Sequence, residues 1–181
     1  MSNTDLWRIK TGKRDPEDIS AKPYVVYGHN AEPLLRDLFR LDFPDYKVGY
    51  KDNNLFVNTR YPFAHASLDG WLQDPAGRVG ILEIKTTEIL QSMQREKWKE
   101  RIPDNYYLQI LHYMMVIEAD FACLKAQLKY NYGGDVFLQT RHYWIERENV
   151  EADIKTLEAE ERKFWGHIQR KTQPATLLPE I

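Results

Sequence analysis

Hydrophobic positions change spacing several times along the chain, and each change marks an element. Between Tyr27 and Arg40, Leu34, Leu35, Leu38 and Phe39 recur every three or four residues, the period of an amphipathic helix. Pro33 is tolerated only in a first turn, so the pattern predicts a helix starting close to Glu32. Between 46 and 86 the texture is that of strands, predicted over 46–50, 55–58, 66–73 and 79–86. Asp52-Asn53-Asn54 is the turn between the first two, and loop 74–78 joins the last two. A helix is predicted over 104–119, with Pro103 ahead of it and Asp104 as N-cap. A hairpin follows over 121–130 and 135–145, then a charged helix over 150–169. Residues 1–24 are polar and hold two prolines, so they read as a loosely ordered lead-in with a short helix over 6–11. The expected architecture is α/β of the mixed α+β kind: one domain over 25–181 with a central mixed sheet flanked by helices.

Composition narrows the function classes. The net charge of −2, from 25 basic and 27 acidic residues, weighs mildly against a general nucleic-acid binder. Metal-binding acids would lower the formal charge, and a bound cation would restore positive potential where a phosphate sits. The single cysteine, Cys123, excludes an internal disulfide and any Cys-rich metal cluster. No apolar run approaches the ~20 residues that cross a bilayer, and the N-terminus lacks signal-peptide order, so a cytoplasmic protein without a membrane partner is expected. No Gly-rich phosphate loop, G-x-S-x-G or Cys–His arrangement points to ATP-driven or acyl chemistry. The five histidines show no zinc-like pairing.

Four segments could carry chemistry. In Leu82-Glu83-Ile84-Lys85-Thr86, strand alternation puts Glu83 and Lys85 on one face. An acid and an amine side by side suit metal-assisted phosphodiester hydrolysis, although a surface ion pair would look the same in isolation. In Ala66-Ser67-Leu68-Asp69-Gly70, folding the strands back with Gln73 opposite Val79 sets Asp69 opposite Glu83. Facing carboxylates are unfavourable unless a cation sits between them, so the pair reads as a metal site; a register slipped by one would undo it. In Gly28-His29-Asn30-Ala31-Glu32, Gly28 permits a close approach and Glu32 projects from a first helical turn, where an acid also suits the helix dipole. Gln109 and Tyr113 share one face of an otherwise apolar helix and need polar partners, either site groups or the backbone. The stretch Gln94 to Arg101 mixes Lys97, Trp98 and Lys99 with acids. It either tracks a DNA backbone with Trp98 stacked on a base, or is a solvated turn.

The order of these segments, with Asp5-Leu6-Trp7-Arg8-Ile9-Lys10-Thr11-Gly12 before them and Tyr107-Leu108-Gln109…Tyr113-Met114 after, resembles the lambda exonuclease/YqaJ-like viral recombinase branch of the PD-(D/E)XK nucleases. These nucleases share motifs with RecB-type nuclease domains. The resemblance covers most of residues 5–115 and is more specific than any single motif. It implies a PD-(D/E)XK core in which Asp69, Glu83 and the main-chain carbonyl of Ile84 hold Mg²⁺, with Mn²⁺ as a substitute. Glu32 would assist the metal or orient a water, Lys85 would activate the attacking water, and Gln109 would position water or phosphate. Gly28 and Tyr113 complete the motifs. The implied activity is 5′ to 3′ digestion of linear double-stranded DNA in phage-type recombination, in a bacterial host from a phage or prophage. The implied partners are a single-strand annealing protein and two further copies in a homotrimer. A structure-selective endonuclease of the same fold and a catalytically silent DNA-binding or assembly subunit are the competing readings. Family members usually carry several dozen more residues ahead of the Leu-Trp-Arg segment, near the 5′-phosphate. Only four residues precede Asp5 here, so end recognition, polarity and processivity are expected to depart from the family pattern.

Overall fold

The computed structural model describes residues 2–90, 92–99 and 101–176. In chain order the elements are α1 (Asn3–Lys10), α2 (Pro23–Asp42), β1 (Lys47–Gly49), β2 (Phe56–Val57), β3 (His65–Ala66), β4 (Gly70–Gln73) and β5 (Val79–Ile89). Then come α3 (Ser92–Lys97), α4 (Asp104–Ile117), β6 (Phe121–Tyr132), β7 (Asp135–Glu146) and α5 (Arg147–Gln169). Five strands form one mixed sheet in the order β1-β4-β5-β6-β7, and β2 pairs with β3 separately. Among the described strands of this sheet, only β5 and β6 run parallel, joined by the crossover through α3 and α4; the other pairs are antiparallel. The expected mixed sheet flanked by helices is the fold observed.

Two apolar layers fix the helices. Leu35 and Phe39 of α2 are buried against Leu72, Leu82, Ile84, Phe121 and Cys123 on one face of the sheet. On the other face Ile110, Leu111, Met114 and Met115 of α4, with Val150 and Ile154 of α5, pack on Ile81, Ala122, Leu124 and Ala126. At Gly80 the layer is so tight that a Cβ would lie 2.3 Å from the Phe121 ring. No described helix is long and apolar enough to cross a membrane.

Four elements differ from their expected form. Helix α2 begins at Pro23, and Pro33 lies in its interior rather than in the first turn. An interior proline costs about 3 kcal/mol through the lost rung to the carbonyl of His29. Burial of Leu35 and Phe39 offsets that at roughly 1.5–3 kcal/mol each. The stretch 66–73 is split into β3 and β4, because the Asn54 side chain takes the Leu68 N–H (2.7 Å) and donates to its carbonyl (2.9 Å). The N-terminal segment is docked rather than loose: Trp7 of α1 is 2% exposed, and its indole N–H donates to the His167 carbonyl of α5. Pro103, not Asp104, occupies the N-cap of α4.

Candidate active site

Strand β4 begins at Gly70, opposite Leu82, while β5 runs on past Leu82 to Ile89. Beyond that point the β4-side edge of β5 has no strand partner among the described residues, and Asp69 fills the gap. Its Oδ2 accepts the main-chain N–H of Ile84 at 2.8 Å. The N–H and C=O of one strand residue point to the same edge, so the Ile84 carbonyl emerges beside Asp69. The observed register of Gln73 with Val79 is the expected one, and extending it past Gly70 aligns Asp69 with Glu83.

Alternation along β5 turns Leu82 and Ile84 into the α2-side core and Glu83 and Lys85 toward α4. Glu83 is 1% exposed. Lys85 Nζ donates to Glu83 Oε1, whereas Glu83 Oε2 is buried without a hydrogen-bond partner among the described residues. Burial pushes the Glu83 carboxyl well above the usual carboxylate range, and the neighbouring charge of Asp69 pushes it further. Asp69 is also raised, first by burial and against the pull of Lys85, with Glu32 adding to the rise. Burial opposes the ammonium form of Lys85, but Glu83 and Asp69 outweigh it and raise its pKa.

Glu32 reaches this point from the opposite layer. It lies mid-helix in α2, which removes the helix-dipole account of its position. Its carboxylate pairs with Arg36 one turn on, at 2.5 Å. Arg36 is the functional residue the sequence pattern does not single out. Its Nε donates to the Asp69 carbonyl at 2.6 Å, and its guanidinium lies 3.4 Å from the Tyr50 ring centroid. It thereby ties Glu32 to the backbone that carries Asp69. The i, i+4 spacing to Glu32 was the available signal. Asn54, which shapes the approach to Asp69, gave none. A Cβ at Gly28 would lie 3.2 Å from Thr86 Oγ1, so α2 does approach β5 closely there.

On α4, Gln109 Nε2 donates to the Tyr113 hydroxyl at 3.0 Å, so the two side chains satisfy each other. Tyr113 faces the site: burial raises its pKa first, and the charge of Glu83 next. Lys85 Nζ lies 5.5 Å from the Tyr106 ring centroid. Trp98 corrects an expectation. It is 3% exposed and packs against Tyr106 and Tyr143, so its ring is not open to a base. Lys97 and Lys99 beside it are exposed, and Glu100 lies outside the described residues.

The oxygen set at the gap suits a hard divalent cation. Two crowded carboxyls, the orphaned Oε2 of Glu83 and an edge carbonyl are the ligand types such ions take. Among the described residues no cluster of three or more His, Cys, Asp or Glu side chains is placed to hold a metal. The remaining positions would fall to the Ile84 carbonyl and water.

The protein YqaJ of Bacillus subtilis is 28% identical over 165 residues, covering 90% of this chain and 46% of that protein. The chain therefore spans less than half the length of that relative. Two crystal structures share the fold at low identity. A phage-related exonuclease from Haemophilus somnus aligns with a TM-score of 0.61 and 16% identity, over 93% of this chain and 81% of that one. An alkaline exonuclease from Laribacter hongkongensis aligns at 0.58 and 15%, over 93% and 80%. The profile of the YqaJ-like viral recombinase domain matches residues 1–120, and the chain belongs to that family.

Proposed function

We propose that the chain is a Mg²⁺-dependent deoxyribonuclease, acting as a 5′ to 3′ exonuclease on linear double-stranded DNA in phage-type recombination. One observation carries this reading: Asp69, Glu83 and Lys85 converge at an open sheet edge where one amine faces two acids. Asp69, Glu83 and the Ile84 carbonyl would hold the cation, with Mn²⁺ as a substitute. Bound there, it supplies positive charge against the scissile phosphate and makes water easier to deprotonate. Lys85, oriented by Glu83, positions the attacking water and offsets charge developing on the phosphate. Arg36 holds Glu32 toward the site, and the Gln109–Tyr113 pair lines its α4 wall. The fold shared with two proteins described as exonucleases supports the reaction class. A homotrimer and an annealing-protein partner belong to the same reading, and the mass in solution tests the trimer.

The test compares linear and covalently closed circular duplex, with Mg²⁺ or EDTA, for the parent and Lys85→Ala. Loss of linear DNA alone, abolished by EDTA and by the substitution, is the expected result. Nicked circles would replace the exonuclease with an endonuclease of the same fold. Binding without cleavage would leave a silent DNA-binding subunit.

A further inference from the structure

A second groove lies on the α2 side of the sheet, one helical turn before Glu32. It has a volume of about 260 Å³ and is lined by Tyr24, Tyr27, Thr86, Glu88, Gln127 and Lys129, among others. Its walls are built rather than incidental. The Tyr27 hydroxyl donates to Gln127 Oε1 at 2.8 Å, and Lys129 Nζ lies 5.7 Å from the Tyr27 ring centroid. Gln127 and Lys129 pair in register with Thr86 and Glu88 on the adjacent strand, so the floor is continuous. Thr86 directly follows Lys85 on β5, with its side chain on the opposite, α2-facing side of the sheet.

Tyr24 is 64% exposed at this rim, although large aromatic side chains are seldom left so open. The first turn of α2 beside it carries no acid, so the positive end of the helix dipole opens there uncompensated. Glu88 stands next to Lys129, which argues against a simple anion sink. Aromatic surface, a hydroxyl, an amide, one amine and one carboxylate match a nucleoside unit with its phosphodiester better than a bare phosphate.

Resting on the nuclease reading, we propose that this groove, on the sheet face opposite Lys85, holds a nucleotide of an unpaired DNA strand stacked on Tyr24. Stacking on an aromatic side chain is sequence-tolerant, so the groove would grip a strand without reading it.

The test measures binding of a fluorescent single strand of about twelve thymidines, by anisotropy in EDTA, where cleavage plays no part. Tyr24→Ala and Lys129→Gln are each expected to weaken it about tenfold, with unchanged circular dichroism and unchanged binding of blunt duplex. Leu41→Ala, exposed on the same helix, serves as the control. Unchanged single-strand binding in Tyr24→Ala overturns the proposal. So does equal competition by thymidine monophosphate, which would mark a free-nucleotide pocket. A parent protein that never cuts with Mg²⁺, yet loses strand binding in Tyr24→Ala, would overturn the nuclease reading and support the groove.

Discussion

Two lysine–carboxylate pairs lie on neighbouring strands and opposite faces of the sheet, and they are built in opposite ways. In the pair of Lys125 and Asp42, 3.0 Å apart, the amine is the buried partner, with a side chain 1% exposed against 47% for the acid. Lys125 also lies 5.8 Å from the Phe39 ring, and its acid reaches solvent at the end of α2. In the pair of Lys85 and Glu83 the acid is buried, at 1%, and the amine is the more open partner, at 21%. There a second acid, Asp69, stands close by, and one oxygen of Glu83 is left over. One amine balances one acid in the first pair. In the second it is outnumbered. A buried pair that is internally complete needs nothing further, whereas an incomplete one stores a demand for positive charge.

The largest expected break between the two pairs is in rate. Lys85→Ala should slow cleavage of linear duplex by about 10²–10⁴-fold, and Lys125→Met should leave it near the parent. Equal losses in the two variants, in steady-state assays of matched folded protein, would erase the functional distinction. Cation binding comes next. Mg²⁺ at about a hundred times its Kd should stabilise the parent by ~2.7 kcal/mol, a rise of roughly 5–10 °C in Tm. Glu83→Gln should abolish that rise and Lys125→Met should keep it, as scanning calorimetry with and without the ion will read. A smaller effect is expected one contact further out. Arg36→Lys keeps a charge for Glu32 but not the fork that also reaches the Asp69 carbonyl, and should lower Mg²⁺ affinity about 10–100-fold by titration calorimetry. An unchanged affinity would reduce Arg36 to packing.

The smallest concerns a third pair, away from the sheet's open edge. His112 contacts Glu161 at 2.7 Å through Nδ1 and the His65 carbonyl at 2.9 Å through Nε2. Burial works against its charged form, but the Glu161 hydrogen bond and charge outweigh it, so the folded pKa lies above the ordinary value. A raised folded pKa contributes stability below the unfolded pKa of about 6.5, and that stability fades as pH climbs through the folded value. The pair is partly exposed, so the change should stay under about 1 kcal/mol. Denaturant midpoints should fall between about pH 6 and pH 8 in the parent and stay flatter in His112→Gln. Parallel curves would show that the pair contributes nothing.

The legible and illegible parts of the site differ in what fixed them. The alignment of Asp69 with Glu83 could be read because a short loop and strand alternation together determine a register. Glu32 could be placed on a helix, but Pro33 misdirected the helix start, since local propensity does not reveal how strongly Leu35 and Phe39 hold α2 to the sheet. Trp98 drew attention as an aromatic among charges, and only tertiary packing on Tyr106 and Tyr143 shows it as core. Asn54 acts across the chain on Leu68 through hydrogen bonds that leave no periodic trace. Trp7 likewise ties α1 to the far end of the chain.

The parallel pairing of β5 with β6 has a consequence in time. Its ladder from Gly80–Phe121 to Ile89–Tyr130 closes only after the chain between the strands has folded over as a crossover. Such distant closure is entropically slow, so β5 can settle beside β4 through its short loop well before β6 arrives. Glu83 would then wait without its wall from α4, half-assembled and wet. Recovery of activity should therefore trail recovery of secondary structure during refolding, with the crossover as the last gate.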